Sequence, residues 1–528
     1  MFDFAVKNGL IVDGSRQKPF VGTVYLKDGN IAQICTDASL PAAASVDAVG
    51  LVTAPGFVDM HCHSDCSFFC DPTHEGKLRQ GVTFELSGQC GVSAIPINSK
   101  NRADTLQEVG RGFGTDFDET RFTAADFAGY GEQIERTGVS INQSILIGHG
   151  TLRSHVIGYK MRQLTNQELG RMCDVLNDQF RQGALGFSLG LIYPPGSFCD
   201  TEELVELAKV VARNDGMLAV HMRNENKEIF SALDEIIEVA KRTGVKVQIS
   251  HLKLMGVSQW GRSNELLHRI EQARAQGVRI HCDQYPYTAS SSALTSCVPV
   301  WAMEGGVSTL MSRLQNKTEW GKISEECPQK MESRGGAGRI VISHTAEQYV
   351  EIEGMDLEEI AAGLHMSVVE AMRHILLRCG GIVNCSYHSI DRNDMLKIMA
   401  RSDIAVASDG TAFALAHLSG KPHPRNTSTF PCFFKTVREE KMMSIEDAVY
   451  KVTALPATLM GLGERIGSLK PGYAGDIVVF DPYTIADKAT YQEPWLSPVG
   501  IDYVWVNGEL ALDNGKITGN RPGRFYRK

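Results

Sequence analysis

Residues 54–65 of this 528-residue chain read APGFVDMHCHSD, an apolar, strand-like run that closes on His61-Cys62-His63. Side chains two apart on a β-strand project to the same face, so His61 and His63 can bring two imidazoles to one point while Cys62 turns away. That is part of a metal site, and the remaining ligands must come from elsewhere in the chain. Candidates stand at the ends of other apolar runs: Cys90 after VTFELSGQ, His221 in MLAVHMR, His251 in VKVQISHLK and Asp409 in DIAVASDG. A single histidine at a strand end is more often a hydrogen-bonded structural residue. Six candidate ligands closing five such runs are not explained that way.

Four imidazoles, a thiolate and a carboxylate are borderline donors that suit zinc better than calcium or magnesium. They suffice for two ions. A binuclear centre needs an anionic bridge to hold two cations roughly 3.5 to 4 Å apart, and Cys90 as thiolate is the natural candidate. The bland alternative for Cys90 is a small buried hydrophobe. Its setting, SGQCGVS, has glycine on both sides and lets the backbone approach the ions closely.

The elements that must position these residues are legible as eight apolar runs, at 56–63, 82–90, 141–150, 184–193, 217–223, 245–253, 278–287 and 403–410. Helix-length amphipathic segments separate most of them, the pattern of βα units closing into a (β/α)8 barrel. In such a barrel the chemistry sits at the carboxyl ends of the strands, where all six candidates fall. Asp200 is placed to cap the helix starting TEELVELAKVV, with Glu203 set for the reciprocal bond. Residues 293–400 are too long for a βα connection and read as an insertion between strands 7 and 8, a candidate lid. Short strand-like runs with Gly-centred turns occupy 1–54 and return at 464–520, so the two ends are expected to share one small β-sandwich domain, with the barrel at 55–463.

Composition bounds the function. The chain is 43% apolar and 22% charged, near the globular average, and no stretch is apolar enough to span a bilayer. Its 53 basic and 62 acidic residues give a net charge of -9, which argues against a nucleic-acid surface and offers membrane lipids no basic run. A small-molecule partner is expected, and the oligomeric state is open. The N-terminal MFDFAVKNGL lacks the pattern of a secretory leader, so a cytoplasmic location follows. Thirteen cysteines without regular spacing fit reduced thiols, and Cys62, Cys66 and Cys70 do not complete a four-thiolate zinc site.

With these residues in view, the chain resembles the amidohydrolase superfamily and, within it, the N-acyl-D-amino-acid deacylases, or D-aminoacylases. The matching text is APGFVDMHCHSD, the Cys90 segment, GHGTLR (148–153), LGLIYPPGSFCDTEEL (189–204), HMRNE (221–225), ISHLK (249–253), DQYPYTASS (283–291), ASDG (407–410) and HPRNTSTFP (423–431). HxH and the strand 8 aspartate mark the superfamily; Cys90 with YPPG, QYPY and HPR marks the deacylase branch. The resemblance implies that Cys90, His221 and His251 hold a tight zinc, and that His61, His63, Cys90 and Asp409 form a second, weaker site. Many relatives bridge their metals with a carboxylated lysine at the end of strand 4. Here strand 4 ends in GLIYPPG without lysine, so the thiolate takes that place.

The ligand set suggests a mechanism in which Asp409 acts as general base and then general acid during hydrolysis of an amide. Lys253 shares a strand face with His251, and Arg425 can bind a carboxylate through two parallel hydrogen bonds. By resemblance Lys253, Tyr285 and Arg425 hold the carboxylate of an N-acyl amino acid, Ser291 assists, and Tyr193 positions the scissile carbonyl. Residue reading alone leaves Tyr285 open against Tyr287, and Ser291 open against Ser290 or Ser292. His149, Arg153 and Arg223 are expected to line the mouth without ligating. The implied activity is zinc-dependent hydrolysis of N-acyl-D-amino acids. A cyclic-amide hydrolase of the dihydroorotase or hydantoinase kind is the alternative, and a non-catalytic barrel acting as a binding protein a more distant one.

Overall fold

Short Val-, Ile-, Leu- and Phe-rich runs bounded by turn residues suit strands buried on both faces, as a parallel sheet under helices requires. The computed structural model, which describes residues 1–110, 118–415 and 420–528, turns each of the eight runs into such a strand. They are Phe57–Asp59, Val82–Ser87, Asn142–Ile145 continuing through Ile147–Gly148, Gly186–Gly190, Met217–His221, Lys246–Ile249, Ile280–Gln284 and Ile404–Val406. Neighbours pair in parallel from the first strand to the third and from the third round to the eighth. The ring closes just past the ends of strands 1 and 8. There Cys62 pairs with Gly410, and Asp409 N donates to His61 O at 2.8 Å. A (β/α)8 barrel results, its wall helices packed by apolar stripes such as Leu233, Ile236 and Ala240 of Ile229–Thr243.

The chain ends meet in one nine-stranded sheet. Val52–Pro55 lies between Phe2–Ile11, which it joins in parallel, and Ile477–Phe480, which it joins antiparallel. The last residues then return to the barrel, Gly523 pairing with Val139 and Phe525 with Gln143.

Between barrel strands 7 and 8 stands a separate unit. Its antiparallel sheet joins Ser290–Ala293, Asn384–Tyr387 and Ile340–His344, and its helices include Gly306–Gln315, Lys317–Ser333 and Val368–Arg378. An apolar core of its own, with Leu294, Leu310, Ile323 and Leu376, holds it together. The helix Arg392–Met399 returns to the barrel wall against Ser263–Ala275.

Candidate metal centre

Three of the six candidate ligands sit in the left-handed backbone region: Cys90 (φ 53°), His251 (φ 38°) and Asp409 (φ 51°). That conformation is unfavourable for residues with a Cβ and persists only where the surroundings enforce it, commonly at functional sites. Here it turns each side chain inward just past a strand end. The Cys90 loop is pressed against strand 4 so closely that a Cβ on Gly190 would fall 1.8 Å from Cys90 O, and one on Gly91 2.4 Å from Gly190 N. The glycines beside Cys90 therefore serve backbone packing. Asp65, four residues beyond His61, clamps the same loop by accepting from Gly88 N (3.3 Å) and Ala94 N (3.0 Å).

The side chains converge. Donor atoms of His61, Cys90, His251 and Asp409 all lie within 4.8 Å of one another. Cys90 Sγ is 3.5 Å from His61 Nε2 and 3.3 Å from His251 Nε2. Asp409 Oδ1 lies 3.2 Å from His61 Nε2 and 2.9 Å from His63 Nε2, so the HxH pair does meet at one point. Cys62 turns away, its Sγ 3.3 Å from Ser87 Oγ. The ring of His221 stands 4.4 Å from that of His251.

Two carboxylates that the sequence pattern did not single out orient these rings. Asp283 contacts His61 Nδ1 at 3.2 Å and accepts from His251 N at 2.8 Å. Glu225 lies 3.0 Å from His251 Nδ1 and 3.5 Å from His221 Nε2, and accepts from Lys253 Nζ at 2.6 Å. Engaging Nδ1 of His61 and His251 leaves each Nε2 aimed at Cys90, the arrangement that outer partners give to metal-binding imidazoles.

Electrostatics tie this cluster together. Burial opposes ionisation of Cys90, yet His251 and His61 hold its thiol well below the usual cysteine range. Asp409 is likewise held well below its ordinary value against burial, by Arg425, His251 and His61. The same contacts act in return on the imidazoles: against burial, Asp283, Cys90 and Asp409 hold His61 well above the ordinary histidine range, and the neighbouring anionic groups push His63 and His251 up to about 9. Burial keeps His221 neutral by pushing its pKa down, and among the described residues neither of its ring nitrogens has a hydrogen-bond partner. A mixed N, S and O donor set converging within 4.8 Å fits zinc.

The carboxylate-binding candidates flank this centre. Arg425 Nη1 donates to Asp409 Oδ2 at 2.5 Å. The Tyr285 ring is near both cations, 5.4 Å from Arg425 Cζ and 5.9 Å from Lys253 Nζ, and among the described residues its buried hydroxyl has no hydrogen-bond partner. Tyr287 instead packs on His423 and donates to Pro424 O at 3.5 Å, which favours Tyr285 of the two. The Tyr193 ring stands 4.9 Å from that of His221, and its hydroxyl accepts from Ser292 Oγ at 3.4 Å. Ser291 lies between Ser290 and Ser292 on the insertion strand and projects to the other face, so Ser292 is the serine brought against Tyr193.

His149 and Arg153 both engage the carboxylate of Glu203, His149 Nε2 at 2.8 Å. That carboxylate is therefore turned away from the expected reciprocal cap, although Asp200 Oδ1 does accept from Glu203 N at 2.9 Å. Arg223 forms a two-pronged pair with Glu235.

A barrel with imidazole, thiolate and carboxylate donors gathered at its mouth has the architecture of a metal-dependent amidohydrolase. The model of the amidohydrolase family matches residues 44–304 and 383–511, and the chain belongs to that family. It is 32% identical to a D-aminoacylase of Alcaligenes xylosoxydans xylosoxydans, over 99% of this chain and 97% of that one. It is 34% identical to an N-acyl-D-glutamate deacylase of the same organism, over 100% of this chain and 96% of the other. Among solved structures, the N-acyl-D-glutamate deacylase of Bordetella bronchiseptica, complexed with zinc and a phosphonate mimic of the tetrahedral intermediate, superposes with a TM-score of 0.84. It is 31% identical, with each chain wholly covered.

Proposed function

We propose that this protein hydrolyses the amide bond of N-acyl-D-amino acids, releasing a carboxylate and a D-amino acid. The observation that carries the reading is Cys90, whose Sγ lies within 3.5 Å of both His61 and His251, imidazoles that hold its pKa below the usual cysteine range, where many relatives use a strand 4 lysine. Strand 4 ends here in glycine, and Arg425 supplies a second cation beside Lys253, features that favour a linear N-acyl amino acid over a cyclic amide. The D configuration rests on the relatives.

Cys90, His221 and His251 would hold the tighter zinc, and His61, His63 and Asp409 would share a weaker one with Cys90. When bound, zinc supplies a Lewis acid and a water-derived nucleophile at neutral pH. Asp409 accepts the proton of the attacking water and returns it to the leaving nitrogen. Arg425, His251 and His61 keep it ionised against burial, and Arg425 and His63 fix its two oxygens. Lys253, Tyr285 and Arg425 form the cradle for the substrate carboxylate, with Ser291 or its neighbour Ser292 beside it. Tyr193, its phenol kept protonated by burial, donates to the scissile carbonyl. Residues 1–54 with 464–520 act as one β domain, and 293–400 as an insertion that roofs the barrel. Thirteen cysteines without regular spacing suit a reducing compartment, the cytoplasm.

The test is turnover of the zinc-loaded protein on N-acetyl-D-amino acids, their L-enantiomers and hydantoins. Hydrolysis of the D series alone is expected. Turnover of cyclic substrates only would replace this reading with the cyclic-amide one.

A further inference from the structure

Three arginines are buried among the described residues, and two have anionic partners: Arg153 binds Glu203 and Arg425 binds Asp409. Arg334 is different. It ends the insertion helix Lys317–Ser333, is 6% exposed, and among the described residues no carboxylate or carbonyl accepts from its guanidinium. Its charge rests only on the face of Tyr387, 5.1 Å from the ring centre. Burying a guanidinium without an anion is costly, so a compensating group from a ligand is the natural complement.

Its surroundings place it over the barrel mouth. The preceding carbonyl, Ser333 O, accepts from Asn226 in the loop that carries His221 and Glu225 (3.4 Å). The following residue, Gly335, abuts Ser389, whose carbonyl accepts from Gly256 N at 2.9 Å in the loop that carries His251 and Lys253. Tyr387 pairs in register with Ser290, two residues from the Ser292 hydroxyl bonded to Tyr193. Burial raises the Tyr193 phenol pKa, and the charge of Arg334 is one of those opposing that rise.

Resting on the function proposed above, Lys253, Tyr285 and Arg425 already account for the α-carboxylate. We propose that Arg334 receives a second carboxylate, that of the substrate's own side chain, and so selects N-acyl derivatives of D-glutamate or D-aspartate. The insertion would then contribute a specificity residue, beside the serines of Ser290–Ala293, to a centre whose metal-type donors come from barrel loops.

The experiment compares kcat/KM for N-acetyl-D-glutamate, N-acetyl-D-aspartate, N-acetyl-D-leucine and N-succinyl-D-leucine in the wild type, Arg334→Met and Arg334→Lys. The wild type should prefer an acidic side chain. Arg334→Met should lower the acidic-to-leucine ratio roughly 100-fold, the scale of a lost charged hydrogen bond, with Arg334→Lys intermediate. Zinc content and circular dichroism confirm that each variant folds, and the ratio cancels any general loss. Turnover of the leucine substrate with no acidic preference, or an unchanged ratio in Arg334→Met, overturns the inference alone. A preference for the succinyl group moves the second carboxylate to the acyl side and overturns it too. No turnover of any N-acyl-D-amino acid overturns the functional reading as well.

Discussion

Two buried polar clusters lie one above the other inside the barrel, built from the same residue types and opposite in character. In the deeper one, two to five residues upstream of the ligands on strands 1 and 2, Lys77 Nζ donates to Asp59 (2.6 Å) and Ser408 (2.8 Å), while Glu85 accepts from Gln143 (2.8 Å) and pairs with His74 (3.2 Å). Burial works against the charge on His74, but Glu85 more than offsets it and raises the His74 pKa. Two acids are thus matched by two cations. At the mouth, imidazole, thiolate and carboxylate donors converge within 4.8 Å, neither ring nitrogen of His221 has a hydrogen-bond partner among the described residues, and three candidate ligands are held with positive φ. Buried charge alone marks nothing; metal-type donors brought together in an enforced geometry mark the place where a divalent cation belongs.

Mutations can break or sharpen this contrast. The largest effect is expected at the shared ligand: Cys90→Ala should lose bound zinc and lower turnover by at least about 10³-fold, read by metal analysis and assay. Asp409→Asn should lower kcat by roughly 10²–10⁴-fold while retaining the tighter zinc; a nearly normal rate would remove Asp409 from the proton-transfer role. In the deeper cluster the loss should be of stability. Lys77→Met leaves Asp59 buried without its cation and should cost about 3–5 kcal/mol in chemical denaturation, with zinc per folded molecule unchanged. If Lys77→Met instead stripped zinc, the two clusters would be one functional unit.

The smallest effect is expected at the seam between sheet and barrel. There Asp476 accepts only from neutral donors, Asn142 Nδ2 (3.0 Å) and Asn507 N (2.7 Å), and burial pushes its pKa up to about 7. A raised folded-state pKa means that its stabilising contribution is present below the ordinary carboxylate pKa and is lost as pH rises through about 7. Melting temperature should therefore decline between pH 5 and pH 8 more steeply in the wild type than in Asp476→Asn.

The sequence showed the barrel clearly because its strands are short apolar runs with chemistry at their ends, and each run from 56–63 to 403–410 became a strand. Local spacing also sufficed for His61 and His63, whose rings meet at Asp409. It could not reveal Asp283, which works across the barrel on His61, nor Asp65, which holds the Cys90 loop through backbone amides. Glu225 stood four residues after His221 in a recognisable motif, but its partners Lys253 and His251 come from the next strand. Arg334 was hidden for a different reason. It lies in the insertion, where the chain resembles its family least, and only the docking of Ser333 and Gly335 brings it over the mouth.

The central claim is that Cys90, His221 and His251 together hold a zinc ion. Anomalous scattering at the zinc edge from crystals of the zinc-loaded protein tests it most directly. A strong peak is expected within bonding distance of Cys90 Sγ and of one ring nitrogen each of His221 and His251; a principal peak that leaves out Cys90 or His221 would contradict the account.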